Sequence, residues 1–554
     1  MIETGSALLV LALAAPLAMA ALAPLLRRPL RLLPLAATPA LAAALFAPLG
    51  SAVDLPDVLL GSTLRLDRIG AVFLGFGALL WTLAGAYALG YMTHSERTRS
   101  FSIFWLLTLV GALGVFIAAD AVTFYLLFAV LSFAAYGLVL HDRTPAARRA
   151  GHVYIVLALF GEVALLVAFM LADTSSPTLQ FADIRAALTT SPWRAAILAG
   201  LLIGFGIKFG LVPAHVWLPL AHSQAPTPAS AVLSGVIVAA GVIGLIRFLP
   251  LESADRTLAD GLIALGLVTA YFGIIVGLMQ TSAKVILAYS TLSQMGLIVT
   301  VLASAMSAPG GAGAAIDAAT LYALHHGLAK AALFMTVGLA ARNVWPSRPV
   351  MCVTVFTALA IAGFPLSGGA LAKLAMKGSL GNGIVAWLVT LSAVGTTMLM
   401  LRFLWALSLS PARAPSEGRA FGLLAPWLAM AGAALALSWL MFPTLSGHSW
   451  SYAASPANLW SALWPVLLAP LLLALPRIDL VATVEAMAHR LARFERKFET
   501  RAEGLSAPRR FEPTRTLFPM IDAVERGLRH SAAFGPLLIL IAALMAFAFG
   551  SMRR

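Results

Sequence analysis

Apolar runs long enough to cross the hydrocarbon layer of a membrane recur along the whole chain, from "SALLVLALAAPLAMAALAPLL" near the start to "GPLLILIAALMAFAFG" at the end. About sixteen can be counted, each of roughly 18–25 residues. In hydrocarbon every backbone N–H and C=O must find a partner inside its own segment, so spans of this length are helices. A chain of 554 residues that is 60% hydrophobic and 11% charged is far outside the composition of water-soluble domains. It reads as an all-α polytopic membrane protein. Glu3 is the only charge before the first run, so this run lacks a basic leader and is expected to be a retained helix.

The net charge of +14 does not indicate a nucleic-acid partner, because the basic residues lie in short loops between spans. Arg27, Arg28 and Arg31, then Arg97 and Arg99, then Arg143, Arg148 and Arg149 follow alternate spans. Arg342 and Arg348, and then Arg413 and Arg419, continue the alternation. By the positive-inside rule that side is the cytoplasm, which puts the N-terminus outside a bacterial inner (plasma) membrane. Cys352 is the only cysteine, so the chain by itself holds neither a disulfide nor a cysteine-ligated cluster. No cofactor and no redox chemistry are expected on it; any redox chemistry belongs to partners.

Lysine is distributed differently from arginine. It occurs only at 208, 284, 330, 373, 377 and 497, and Lys208, Lys330 and Lys373 lie within the apolar stretches "LLIGFGIKFGL", "LHHGLAKAALFM" and "SGGALAKLAM". Arginine keeps its proton under all ordinary conditions, whereas a lysine moved out of water can release one. Ionisable groups within spans are costly and mark ion paths, the plainer alternative being a side chain that snorkels from a helix end. Lys284 and Lys377 sit nearer the boundaries.

Two of these stretches are interrupted. Pro213 and Pro219 follow Lys208 in "KFGLVPAHVWLPLAHSQAPTPAS", and Pro365 precedes Lys373 in "GFPLSGG". Broken helices are tolerated at membrane depth where they are covered by protein or line a hydrated cavity. The two breaks are separated by five spans, which fits two related five-helix units at 100–249 and 250–410, placed after N-terminal helices at 1–99. The core then continues over 411–476.

The stretches "KFGLVPAHVWLPLAHSQAPTPASAVLSG", "AKVILAYSTLSQMGLI", "LHHGLAKAALFMTVG" and "AIAGFPLSGGALAK" resemble the signature segments of the antiporter-like subunits of respiratory complex I. They are equally similar to those of membrane-bound hydrogenases of the hydrogenase-4 type and of Mrp-type sodium/proton antiporters. The resemblance covers about residues 65–410. It implies a core of about fourteen helices built from two inverted five-helix repeats with two broken helices, and a buried axis of lysines, histidines and a glutamate that moves protons. Matched by motif, Lys208 falls on the first broken helix, His326 and Lys330 on a continuous helix, and Lys373 on the second broken helix. Three ionisable groups usual in the family are replaced, by Ala129 in "LFAVLS", by Leu220 in "WLPLAH" and by Ala239 in "SGVIVAAGVIG". Glu162, mid-span in "YIVLALFGEVALLVAFML", either takes over as partner of Lys208 or leaves the first half-channel degenerate, with Lys208 in a structural hydrogen-bond network. His326 shares a helical face with Lys330 and is expected to relay protons. His215 and His222 lack a third ligand at a useful spacing, so no metal site is expected.

After a further span, residues 477–532 contain an amphipathic arm. Leu480, Val484, Met487, Leu491, Phe494 and Phe498 form its apolar stripe, suited to a cytoplasmic membrane surface or a neighbouring subunit. A terminal span occupies 533–554. The resulting expectation is a subunit that translocates protons, or exchanges sodium for protons, through Lys208, Glu162, His326, Lys330 and Lys373. Its partners would be other membrane subunits of a respiratory, hydrogenase or antiporter complex, with a soluble partner docked on the cytoplasmic side. The alternatives are a scaffold or docking subunit with a partly degenerate channel, and the membrane subunit of an ion-driven inorganic-carbon uptake system with a soluble zinc partner.

Overall fold

A computed structural model describes residues 2–474 apart from 59–60, 308–309, 343, 345–347 and 410–419. The amphipathic arm at 477–532, the terminal span at 533–554, Arg413 and Arg419 lie outside the described residues. A compact unit spans Met1–Leu467, and the second unit, Leu468–Arg554, is described only as far as Ala474.

The chain opens with α1 (Ile2–Leu22), α2 (Leu33–Ala36) and α3 (Thr38–Phe46). A short antiparallel hairpin follows, β1 (Ala52–Leu55) and β2 (Ser62–Arg65), which the apolar pattern does not announce. It is tied to the bundle where the Thr63 amide donates to Asp120 Oδ2 at 3.1 Å. The first half of the core runs α4 (Arg68–Tyr91), α5 (Thr98–Ile117), α6 (Ala121–Val139), α7 (Pro145–Asp173), α8 (Phe181–Ala187), α9 (Arg194–Phe209), α10 (Trp217–Gln224), α11 (Thr227–Val232) and α12 (Val238–Phe248). A π-turn at Leu233–Ile237 joins α11 to α12. The second half runs α13 (Arg256–Leu278), α14 (Ala283–Ser304), α15 (Ala312–Ala341), α16 (Arg348–Ala362), α17 (Gly368–Leu380) and α18 (Ile384–Ser408). The described chain ends with α19 (Ala420–Ser446), α20 (Trp450–Ala453) and α21 (Pro456–Ala474).

Among the described residues 12 helical stretches are long and apolar enough to cross a membrane. The count falls below the number of apolar runs partly because breaks shorten α9, α16 and α17 to 16, 15 and 13 residues. Several helices begin on a polar cap that takes a backbone N–H with no partner in its own helix. Asp67 caps α4 by accepting from the Gly70 amide at 2.7 Å, and Asp120 caps α6 through Thr123 at 2.8 Å. Ion pairs clamp the ends opposite the arginine-rich loops: Arg68 with Asp317, Arg194 with Asp255, and Arg247 with Asp67.

The centre belongs to α11, α12, α14 and α15, whose side chains are almost all buried. Rim helices turn large apolar side chains outward, among them Leu159, Val163 and Met170 of α7, as a lipid-facing surface requires. Small residues let backbones meet, and a Cβ on Gly296 would lie 2.4 Å from the Gly266 carbonyl oxygen where α13 and α14 cross.

The two breaks have a common construction. After α9, Gly210 adopts φ +84°, and the Gly206 carbonyl accepts from both the Gly210 and Leu211 amides, so the helix cannot continue. Pro213 lies in the turn that follows. Pro219, expected from sequence to be part of the break, instead sits in the first turn of α10, where a missing N–H removes no helical bond. After α16, Gly363 adopts φ +96° and the Leu359 carbonyl accepts from Gly363 and Phe364. Ser367 then caps α17 through the Ala370 amide at 3.3 Å.

Candidate ion path

Lys208 lies in the last turn of α9 and is buried. Its ammonium donates to Ser132 Oγ of α6, and the Ser132 hydroxyl reaches both Glu162 Oε1 of α7 and, at 3.0 Å, the Phe128 carbonyl. Lys208 and Glu162 are therefore connected through a hydroxyl, one helical turn along α6 from Ala129. The Phe128 ring centroid is 4.3 Å from Lys208 Nζ, so the ring face also stabilises the ammonium. Glu162 Oε2 has no hydrogen-bond partner among the described residues.

Lys330, in the middle of α15, is completely buried and donates to the Leu287 carbonyl of α14 at 3.0 Å. That carbonyl also accepts from the Thr291 hydroxyl at 3.1 Å, and Thr291 is 2.8 Å from Ser234 Oγ in the π-turn. The π-turn thus connects the two halves of the core beside Lys330. His326, one turn before Lys330, is buried with neither ring nitrogen bonded to a described residue. The same holds for His222, which stacks on Phe334 with ring centroids 4.8 Å apart. His215 packs edge-on against Phe272.

Lys373, on α17, donates back across the second break to the Ala362 carbonyl at 2.6 Å. It lines a cavity of about 290 Å³ together with Lys377, Asn382, Trp387 and Asn458, at the end of the bundle away from the arginine-rich loops. Lys284 marks the other end. It donates to the Ala225 carbonyl at 2.7 Å and lines a cleft of about 520 Å³ with Arg97, His141, Asp142 and Arg342. Burial holds the His141 imidazole below its usual pKa, against the opposing charge of Asp142.

Each of the five residues singled out from sequence is thus placed at a buried polar station, although Lys373 is less enclosed than the others. Sequence reasoning missed Ser132 and the carbonyls of Leu287 and Ala362. Backbone oxygens carry no sequence signal. Ser132 could have been found by asking which polar side chain lies one turn from Ala129 on the same face. His325 is a further addition: it lies against Gly368 and Gly369, and its Nδ1 is 3.4 Å from Ser438 Oγ, so it belongs to the second break.

A family model described as NADH:quinone oxidoreductase/Mrp antiporter, transmembrane, matches residues 118–399. Hydrogenase-4 component B of Escherichia coli (strain K12) is 30% identical over 292 residues, covering 50% of this chain and 43% of that protein. A NAD(P)H-quinone oxidoreductase chain 4 of Trichormus variabilis is 33% identical over 293 residues, covering 51% of this chain and 52% of its own. The fold is shared with a chain in the structure of the Mrp complex from Dietzia sp., at a TM-score of 0.66 and 22% identity, over 84% of this chain and 99% of that one. The chain spans about half the length of the curated relatives it matches. It is a multi-pass membrane protein, and it belongs to the NADH:quinone oxidoreductase/Mrp antiporter transmembrane family.

Proposed function

We propose that this chain is the proton-conducting subunit of a larger complex in a bacterial inner membrane, with Lys208, Glu162, His326, Lys330 and Lys373 as the groups that hold the proton in turn. The observation that carries this reading is the nature of the oxygens the lysines meet. Lys208, Lys330 and Lys373 donate to a hydroxyl, a carbonyl and a carbonyl, and no described lysine is in an ion pair with a carboxylate. A buried lysine locked to a carboxylate would strand that charge on losing its proton, whereas one bonded to a neutral oxygen leaves nothing unpaired. The clefts at Lys284 and Lys373, at opposite ends of the bundle, support entry from the arginine-rich side and exit from the other.

In this reading the units 100–249 and 250–410 each contribute one broken helix, the arginine-rich loops face the cytoplasm, and the N-terminus lies outside. The names of the relatives, a hydrogenase component and a quinone oxidoreductase chain, are those of parts of assemblies. The complex accordingly includes further membrane subunits and a catalytic partner docked on the cytoplasmic side, which supplies the driving reaction.

The test is proton uptake by everted membrane vesicles from the host, followed with a pH-sensitive dye in sodium-free buffer. Lys330→Ala is expected to lower uptake by about tenfold or more with the complex still assembled, because removing the ammonium leaves only a carbonyl that Thr291 already engages. Undiminished uptake in an assembled Lys330→Ala complex would overturn the reading.

A further inference from the structure

The polar cluster around Lys208 contains one group that the proton path as described does not use. Ser132 is completely buried, and its single hydroxyl hydrogen has two acceptors within reach, Glu162 Oε1 and the Phe128 carbonyl at 3.0 Å. The Lys208 ammonium has three donors and no acceptor, so while Lys208 is charged the Ser132 hydrogen must point to one of those two oxygens. We propose that the Ser132 hydroxyl is a proton-relay switch, which joins Lys208 to Glu162 when turned to the carboxylate and disconnects them when turned to the Phe128 carbonyl. This rests on the proton-conducting reading and adds to it a residue that acts through its neighbours.

The surroundings leave Ser132 without a competitor. The small cavity at this point is lined by Phe128, Ser132, Tyr154, Glu162, Lys208 and Trp217 among others. The Tyr154 hydroxyl donates to the Ser132 carbonyl at 3.1 Å and the Trp217 indole donates to the Ile207 carbonyl at 2.6 Å. Both side-chain donors are therefore committed to backbone, and Ser132 is the described side chain that touches both charged groups. At about 10 Å³ the cavity has room for no more than roughly one water, so it holds no extended water chain beside the hydroxyl.

The transfer balances without any further reactant. An N–H bond of Lys208 breaks as the proton bonds to Ser132 Oγ, and the original Ser132 O–H bond breaks as its proton bonds to Glu162 Oε1. An ammonium and a carboxylate become an amine and a carboxylic acid, with the net charge of the pair unchanged. Ser132 is left with its new hydrogen toward the Lys208 amine. To act again it must rotate, and the Phe128 carbonyl gives that hydrogen an acceptor on the way. Glu162 Oε2, which has no described partner, is the atom open to onward exchange.

The experiment compares Ser132→Ala, Ser132→Thr and Glu162→Gln in the full chain within its complex, in everted vesicles of the host. Proton uptake is read beside the infrared carbonyl band of the Glu162 carboxylic acid, identified by its loss in Glu162→Gln. Ser132→Ala is expected to lower uptake by about 100-fold, the scale of a lost proton-transfer partner, and to shift the pH midpoint of the Glu162 band. Ser132→Thr, which retains the hydroxyl, is expected to restore both to within a few-fold of the parent. Equal uptake in Ser132→Ala and the parent, or equal deficiency in Ser132→Thr and Ser132→Ala with normal amounts of assembled complex, would overturn the relay. If Lys330→Ala abolishes uptake while Ser132→Ala does not, only the relay falls; if neither variant changes uptake, the proton-conducting reading falls with it.

Discussion

Lys373 belongs to the helix after the second break, yet its ammonium reaches back to the last residue of the helix before it, donating to the Ala362 carbonyl at 2.6 Å. A helix C-terminus carries unpaired carbonyls and a partial negative charge, so this end both holds and orients the ammonium. Lys373→Arg keeps a positive charge near the same carbonyl but cannot release a proton. It is expected to leave the complex assembled and to lower proton uptake about as much as Lys373→Ala. Full uptake in Lys373→Arg would show that the position needs only charge.

Gly363 is the residue that makes this approach possible. It has φ +96°, and a Cβ there would lie 3.0 Å from Lys373 Cδ and 3.3 Å from Nζ. Gly363→Ala combines left-handed strain with crowding of the lysine, at a cost on the order of 1–3 kcal/mol. Thermal unfolding in detergent should show the lower stability, and uptake should fall as Lys373 is displaced from Ala362. Wild-type uptake together with wild-type stability would count against the break as a positioning device.

Glu162 and Lys208 are expected to be energetically coupled although a hydroxyl stands between them. Glu162→Gln and Lys208→Ala should each impair uptake, and the double variant should lose less than the sum of the two in free energy, because removing one partner already disables the other. Strictly additive losses would refute the coupling.

The Asp67–Arg247 pair gives stability a pH dependence at the end of the bundle opposite the arginine-rich loops. Burial alone would raise the Asp67 pKa, but the hydrogen bond and charge of Arg247, with the Gly70 amide, outweigh it and leave the carboxyl below its ordinary value. A group with a depressed folded pKa contributes stability above its unfolded pKa of about 3.9 and loses it as pH falls through the folded value. The Asp67 side chain is 42% exposed, so solvent screening limits the ion pair to about 1 kcal/mol or less. Asp67→Asn is expected to lower the Tm modestly at pH 7 and to abolish that part of the Tm loss seen near pH 3. An unchanged Tm at pH 7 would show that the pair is energetically silent.

The architecture was legible because hydrocarbon imposes it. A helix that crosses a membrane needs a minimum apolar length and tolerates charge only where protein encloses it, so the span pattern, the outward arginines and the inward lysines are written in the order of residues. The positions of both breaks were legible for the same reason, through glycine and proline in otherwise apolar runs. Pro219 was misread because a proline in a helix's first turn and one in its interior look alike in sequence.

What only the tertiary structure decided is which oxygen each buried ammonium meets. Lys208 and Ser132 are 76 positions apart, and Lys330 and Leu287 are 43 apart. Apolar periodicity fixes that a helix is buried but not its rotation against its neighbours, which close glycine contacts such as Gly235 against Gly327 select. The hairpin at 52–65 and the separation of His325 toward the second break from His326 beside Lys330 have the same origin. Adjacent side chains on a helix point about 100° apart, and which of them meets a partner depends on the helices packed around it.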